Sequence, residues 1–292
     1  MKPYRIIFLG TPEFAVPALE ALIKDDRFNI IVVITEPDRP AGRGKEIKLS
    51  VIKLLGEKHK IPVFQPTLIE NCKLKIENLQ PDLAVVVAYG QIIPQEILDI
   101  PKHGFINIHP SLLPKYRGSS PIQAAILNDD KETGVSIIQL DEKMDHGDVV
   151  ASVRLKTEDI RLGYQELSEK LSNIGAKLLI KTLPDYLSGK VKAKPQDHTK
   201  ATFTKLIKKT DGEINWNQPV EFIERQIRAY NPWPSTYTFW GGRRIKICQA
   251  HIEYDKLVID QVQPEGKRQM TWQEFKKGYK NLLNYIDIKV KR

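Results

Sequence analysis

The feature that most constrains the fold is a succession of short apolar runs alternating with helix-periodic segments over the first 187 residues. Arg5-Ile6-Ile7-Phe8-Leu9 runs into Gly10 and reads as a strand buried on both faces. Ile30–Thr35, Pro62–Phe64, Leu83–Val87, Phe105–Ile108, Gly134–Leu140 and Asp148–Lys156 read as further strands. Phe14–Lys24, Ser50–Lys60 and Leu68–Leu79 carry apolar residues at helical spacing, and Tyr164–Leu187 makes a long helix. This alternation predicts an α/β fold, a Rossmann-like, mostly parallel sheet with helices on both faces.

The texture changes after Leu187. Gly189, Pro195 and scattered Lys and Gln residues interrupt the periodicity, as in a linker. A helical segment, Val220–Tyr230, then precedes short β-leaning runs at Ser235–Trp240, Arg244–Cys248 and Lys256–Val262. The expected division is a first domain over 1–188, a linker over 189–205 and a small β-rich domain over 206–292.

Net charge is unevenly spread. Residues 200–292 carry 18 Lys/Arg against 10 Asp/Glu, and residues 1–199 carry 27 against 26. Such a basic segment fits a platform for a polyanion, usually nucleic acid, although a solvated surface without a partner explains the charge equally well. Cys72 and Cys248 lie far apart, which predicts two reduced thiols in a cytoplasmic protein. No apolar run approaches the roughly 18 residues of a membrane span. The opening residues lack the regions of a signal peptide. No metal cluster is expected.

Gly10-Thr11-Pro12 lacks the spacing of a dinucleotide turn, and Pro12 removes an amide that a phosphate would use. A tight strand-to-helix connection is the better reading. Asn107 and His109 stand two apart where an apolar strand ends, so they face one side at an edge where open α/β sheets bind ligands. An amide donor beside an imidazole suits attack on a carbonyl, but on the residues alone a purely structural pair at a strand end is the commoner case. Asp141, Asp145 and Asp148 follow the next long strand and are expected on the same edge, where one carboxylate would orient the imidazole. Which of the three faces inward is open at this point.

Asn107-x-His109, Ser111-Leu112-Leu113-Pro114-x-Tyr116-Arg117-Gly118 and Asp145-x-Gly147 resemble, in order and spacing, the motifs of the formyltransferases that use 10-formyltetrahydrofolate. Within them the chain is most similar to the branch acting on methionyl-tRNA. This likeness rests on Phe8–Phe14, Pro37–Lys45, Asp211–Trp216, Ile227–Pro234 and Gln263–Met270. The resemblance implies that Asn107 bonds the formyl oxygen, His109 holds the oxyanion and manages the amine proton, and Asp145 fixes His109. It implies folate contacts from Ser111, Leu112, Leu113 and Pro114 and from Tyr89, Gly90, Gln91, Ile92 and Ile93. Arg39, Arg43, Lys45 and Lys48 would meet the acceptor end of initiator methionyl-tRNA. No metal, no covalent intermediate and no membrane are implied, and a monomer is expected. The second domain would be a small OB-like barrel, shortened here between Ile252 and Gln263. An N-formyltransferase of amino sugar nucleotides and a non-catalytic RNA-binding module are the alternatives. The Pro37–Lys45 and Gln263–Lys267 segments favour tRNA, and the intact Asn107, His109 and Asp145 favour catalysis.

Overall fold

The computed structural model describes residues 2–41, 46–156 and 162–279, with only the backbone of 40, 41 and 46–48. In chain order these form β1 (Tyr4–Gly10), α1 (Val16–Ile23), β2 (Phe28–Ile34), β3 (Arg39–Ala41), β4 (Glu46–Lys48), α2 (Val51–Lys58), β5 (Val63–Phe64), α3 (Lys73–Leu79) and β6 (Leu83–Val87). Next come α4 (Gln95–Leu98), β7 (Phe105–His109), β8 (Arg117–Gly118), α5 (Pro121–Leu127), β9 (Glu132–Gln139), β10 (Val149–Lys156) and α6 (Tyr164–Leu187). The remainder is β11 (Phe203–Thr204), α7 (Val220–Tyr230), β12 (Thr236–Trp240), β13 (Arg243–Glu253), β14 (Lys256–Pro264), β15 (Met270–Thr271) and α8 (Trp272–Gly278).

Seven strands make one sheet in the order β10-β9-β7-β6-β1-β2-β5. The five from β7 to β5 run parallel. Ile6, Ile7, Phe8 and Leu9 are all fully buried. Successive strand residues point to opposite faces, so both faces of the sheet are covered. One core cluster joins Ile7 and Leu9 to Val32, Ile34, Ile76, Ala84, Val86 and Phe105.

β9 departs from this direction. It pairs antiparallel with β7, setting Gln139 opposite Ile106 and Ser136 opposite His109. The residues after β9 therefore leave from the edge where β7 begins, not from the carboxyl edge expected for them.

The chain forms two compact units, each from discontinuous segments: residues 1–118, 134–155 and 168–203 in the first, and 119–133, 156–167 and 204–292 in the second. Within the second, β12, β13, β14 and β15 form an antiparallel sheet in that order. Glu253 pairs with Lys256, which leaves Tyr254 and Asp255 as a two-residue turn with φ of 49° and 57°. Positive φ at both positions matches the twist of a tight hairpin. The chain thus reverses at once between β13 and β14. The sheet is open among the described residues, with β12 and β15 as its edges. Helix α7 buries Ile223 and Ile227, one turn apart, in a core with Trp240, Ile245, Val262 and Phe275. Thr271 and Glu274 cap α8 reciprocally.

Candidate active site

Asn107 and His109 end β7 on the same side, where both reach Asp145. Asn107 Nδ2 donates to Asp145 Oδ1 at 3.4 Å, and His109 Nδ1 lies 3.5 Å from that oxygen. The second carboxylate oxygen accepts the Gly118 amide hydrogen at 2.8 Å. Of the three aspartates left open by the sequence, Asp145 is the one that joins this pair.

The other ring nitrogen of His109 settles the tautomer. Nε2 is 2.9 Å from the Tyr116 carbonyl, which can only accept, so Nε2 carries hydrogen. In the neutral ring the lone pair is then on Nδ1, toward Asp145. The His109 side chain is 5% exposed and that of Asp145 12%, so the pair is largely shielded from bulk water. Tyr116 is held with φ of 62° by its own amide, which donates to Thr202 Oγ1 at 2.8 Å.

Asp145 reaches these groups from a loop that doubles back. The Gln139 amide donates to the Asp148 carbonyl at 2.9 Å, closing residues 140–147 into an excursion from the end of β9. Gly147 lies so close to β9 that a Cβ there would stand 1.8 Å from the Gln139 carbonyl oxygen. The motif requires glycine for this approach. Inside the loop, Asp141 accepts from the Lys143 amide at 2.9 Å and pairs with His146 Nδ1 at 2.6 Å.

The segments expected to meet folate divide into backbone and side-chain roles. Ser111 is buried and its hydroxyl donates to the Lys115 carbonyl at 2.5 Å. Ser136 on β9 pins the same loop, accepting from the Leu113 amide and donating to the Ser111 carbonyl. Leu112, Leu113 and Pro114 are half-buried. Tyr89 and Ile93 belong to the core cluster. Burial raises the Tyr89 phenol's pKa above its ordinary value, and its hydroxyl has no hydrogen-bond partner among the described residues. Their side chains are part of the core packing. Gln91 is spent on the loop at Pro66–Ile69, accepting from the Ile69 amide at 2.9 Å. Gly90 and Ile92 are exposed.

The basic segment after β2 starts as a hairpin, with Arg39 opposite Lys48 across β3 and β4. Arg39 is exposed and lies 3.7 Å from Glu36. Arg43 and Lys45 lie outside the described residues, and of Lys48 only the backbone is described. The base of the hairpin is anchored by Asp38, which accepts from Lys53 Nζ at 2.5 Å and from Gln65 Nε2 at 2.8 Å.

Sequence reasoning passed over the buried polar groups behind the site. Arg117 is 4% exposed and gives Nη2 to Gln196 Oε1 at 2.7 Å and to His198 Nδ1 at 2.8 Å. His198 in turn stacks on His146 with centroids 4.1 Å apart. Arg117 stood in a motif, and a buried arginine needs a partner. Gln196 and His198 carry no local signature.

The family description "Formyl transferase" matches residues 4–183, and "Formyl transferase, C-terminal domain" matches 206–257. A methionyl-tRNA formyltransferase of Roseiflexus sp. is 41% identical, over 94% of this chain and 93% of its own. The solved methionyl-tRNA formyltransferase from Clostridium thermocellum has TM-score 0.63 at 19% identity, covering 89% of this chain and 98% of that one. HypX from Aquifex aeolicus, solved in complex with tetrahydrofolic acid, has TM-score 0.65 at 14% identity, covering 96% of this chain and 48% of that one. With a family match over most of its first 183 residues and a relative this similar along both lengths, the chain belongs to the methionyl-tRNA formyltransferases.

Proposed function

We propose that the chain formylates the α-amino group of methionine on initiator methionyl-tRNA, taking the formyl group from 10-formyltetrahydrofolate, with Asn107, His109 and Asp145 carrying the step. The observation that supports these roles is the convergence of the Asn107 amide and His109 Nδ1 on one oxygen of Asp145, at 3.4 and 3.5 Å. Both contacts are long for hydrogen bonds, so neither group is committed to the carboxylate.

Tyr116 holds the Nε2 hydrogen, and His109 therefore accepts a proton at Nδ1. That proton comes from the methionine amine as its nitrogen bonds the formyl carbon. Asp145 stabilises the imidazolium that results. Asn107 donates to the formyl oxygen as it gains charge, and the charged His109 faces the same oxygen. His109 then returns the proton to the folate nitrogen, whose bond to the formyl carbon breaks with the electron pair leaving on nitrogen. The half-buried Leu112, Leu113 and Pro114 and the exposed Ile92 supply apolar walls for the folate. Arg39, Arg43, Lys45 and Lys48 would contact acceptor-end phosphates, and the basic residues of 206–292 would add non-specific attraction.

No helix among the described residues is long and apolar enough to cross a membrane. We place the reaction in the cytoplasm, with its tRNA substrate. The deciding assay gives purified protein the formyl donor with either methionyl-tRNA or amino sugar nucleotides. Transfer to methionyl-tRNA is the expected result, and transfer only to the sugars would overturn the reading.

A further inference from the structure

We propose that Gln196 is a positioning residue for formyl transfer, clamping the loop that carries Asp145; this rests on the role given to Asp145 above. Gln196 sits in the stretch expected to be a linker, yet it is 6% exposed. Its amide nitrogen donates to the Asp145 carbonyl at 2.9 Å and to the Gly147 carbonyl at 2.7 Å. Its oxygen accepts from Arg117 Nε at 3.2 Å and Nη2 at 2.7 Å. A side-chain amide has two donor hydrogens and two acceptor lone pairs, so every bonding site of Gln196 is filled.

The partners give this saturation its meaning. Two of the four bonds hold the Asp145 and Gly147 carbonyls of the motif, on the loop whose Asp145 carboxylate also accepts from Gly118. The other two fix Arg117, which lies between Tyr116, whose carbonyl holds His109, and Gly118, whose amide holds Asp145. A single amide thus ties together the two loops that aim the imidazole and the carboxylate at each other. The segment delivering Gln196 is itself anchored two residues earlier, where Lys194 and Val149 exchange both backbone hydrogen bonds at 2.8 Å. Beyond it, Thr202 accepts at its carbonyl from the Arg117 amide at 2.8 Å. Gln196 touches no reacting atom; its effect passes through Asp145.

Gln196→Glu is the discriminating variant. It keeps the size and the Arg117 pairing, but turns an acceptor toward the two carbonyl oxygens that the amide had satisfied. Gln196→Asn keeps the chemistry and shortens the reach. Single-turnover transfer is measured with both substrates saturating, for each variant alone and combined with Asp145→Asn, alongside KM and thermal melting. Misplacement on the order of an ångström lowers rates by about 10- to 100-fold, and that loss, after correction for the folded fraction, is expected for both variants, with KM for methionyl-tRNA near wild type. In the Asp145→Asn background neither variant should slow the reaction further, because groups acting as one unit are non-additive. A full additional loss in that background, a rate near wild type, or a loss that tracks the folded fraction would each overturn the proposal. A normal rate for Asp145→Asn alone would instead remove the reading of Asp145, and this proposal with it.

Discussion

The Gly118 amide donates to Asp145 Oδ2 at 2.8 Å and so fixes the carboxylate that Asn107 and His109 share through its other oxygen. An asparagine at 145 would still accept from Gly118. It would then present an NH2 group to the Asn107 amide and to His109, and could not stabilise an imidazolium. Asp145→Asn and His109→Ala are expected to lower transfer by about 10²- to 10⁴-fold, the range for acid–base residues. Asn107→Ala should cost about 10²- to 10³-fold, as for loss of one oxyanion donor. Single-turnover assays with circular dichroism check this, and a near-normal rate for His109→Ala would remove it from the mechanism.

The basic hairpin should depend on Asp38. The hydrogen bond from Lys53, reinforced by that from Gln65, holds the Asp38 carboxyl below its ordinary value of 3.8. A carboxyl lowered on folding contributes stability above its unfolded pKa and loses it as pH falls through the folded value. In an NMR titration its midpoint should therefore lie below 3.8 and move up toward that value in Lys53→Met. Asp38→Asn and Arg43→Ala should weaken use of methionyl-tRNA while leaving folate binding nearly unchanged. Equal losses for both substrates would assign the hairpin to the folate site.

Arg243, Lys256 and Lys267 are exposed on the second unit. Each phosphate contact releases condensed counterions, so neutralising a contacting residue reduces the slope of log affinity against log salt by about 1. The triple change to glutamine should bind tRNA more weakly and with a shallower slope across a salt series. Coincident slopes would show that these side chains meet no phosphate.

Trp240 is 1% exposed and lies 5.8 to 6.2 Å from the rings of Trp216, Trp272 and Phe275. Trp240→Ala removes the centre of this cluster and should cost about 3–5 kcal/mol. Chemical denaturation followed by tryptophan fluorescence measures it.

Most strands of the sheet were legible as continuous apolar runs, and the bounds of α6 and α7 as long segments with one period. α5 and α8 were passed over, being only seven residues each, although Pro121 at the start of α5 and the Thr271–Glu274 cap of α8 are readable start signals. Asn107 and His109 could be paired from strand alternation alone. The path of the Asp145 loop could not, because it follows from the reversed direction of β9, a property of long-range pairing. Gln196 was invisible for the same reason: its partners lie 51 and 79 residues away.

The discontinuity of the second unit bears on how this gene can be dissected. Helix α5, which buries Ile122, Ala125 and Ile126, packs with α7, and Arg225 on α7 donates to the Leu127 carbonyl at 2.9 Å. A clone beginning near residue 206 would express α7 stripped of the helix it leans on, and the complementary clone would carry α5 with its apolar side uncovered. Neither half is a self-sufficient fragment, so activity from a split gene requires co-expression, with the two products completing one fold between them.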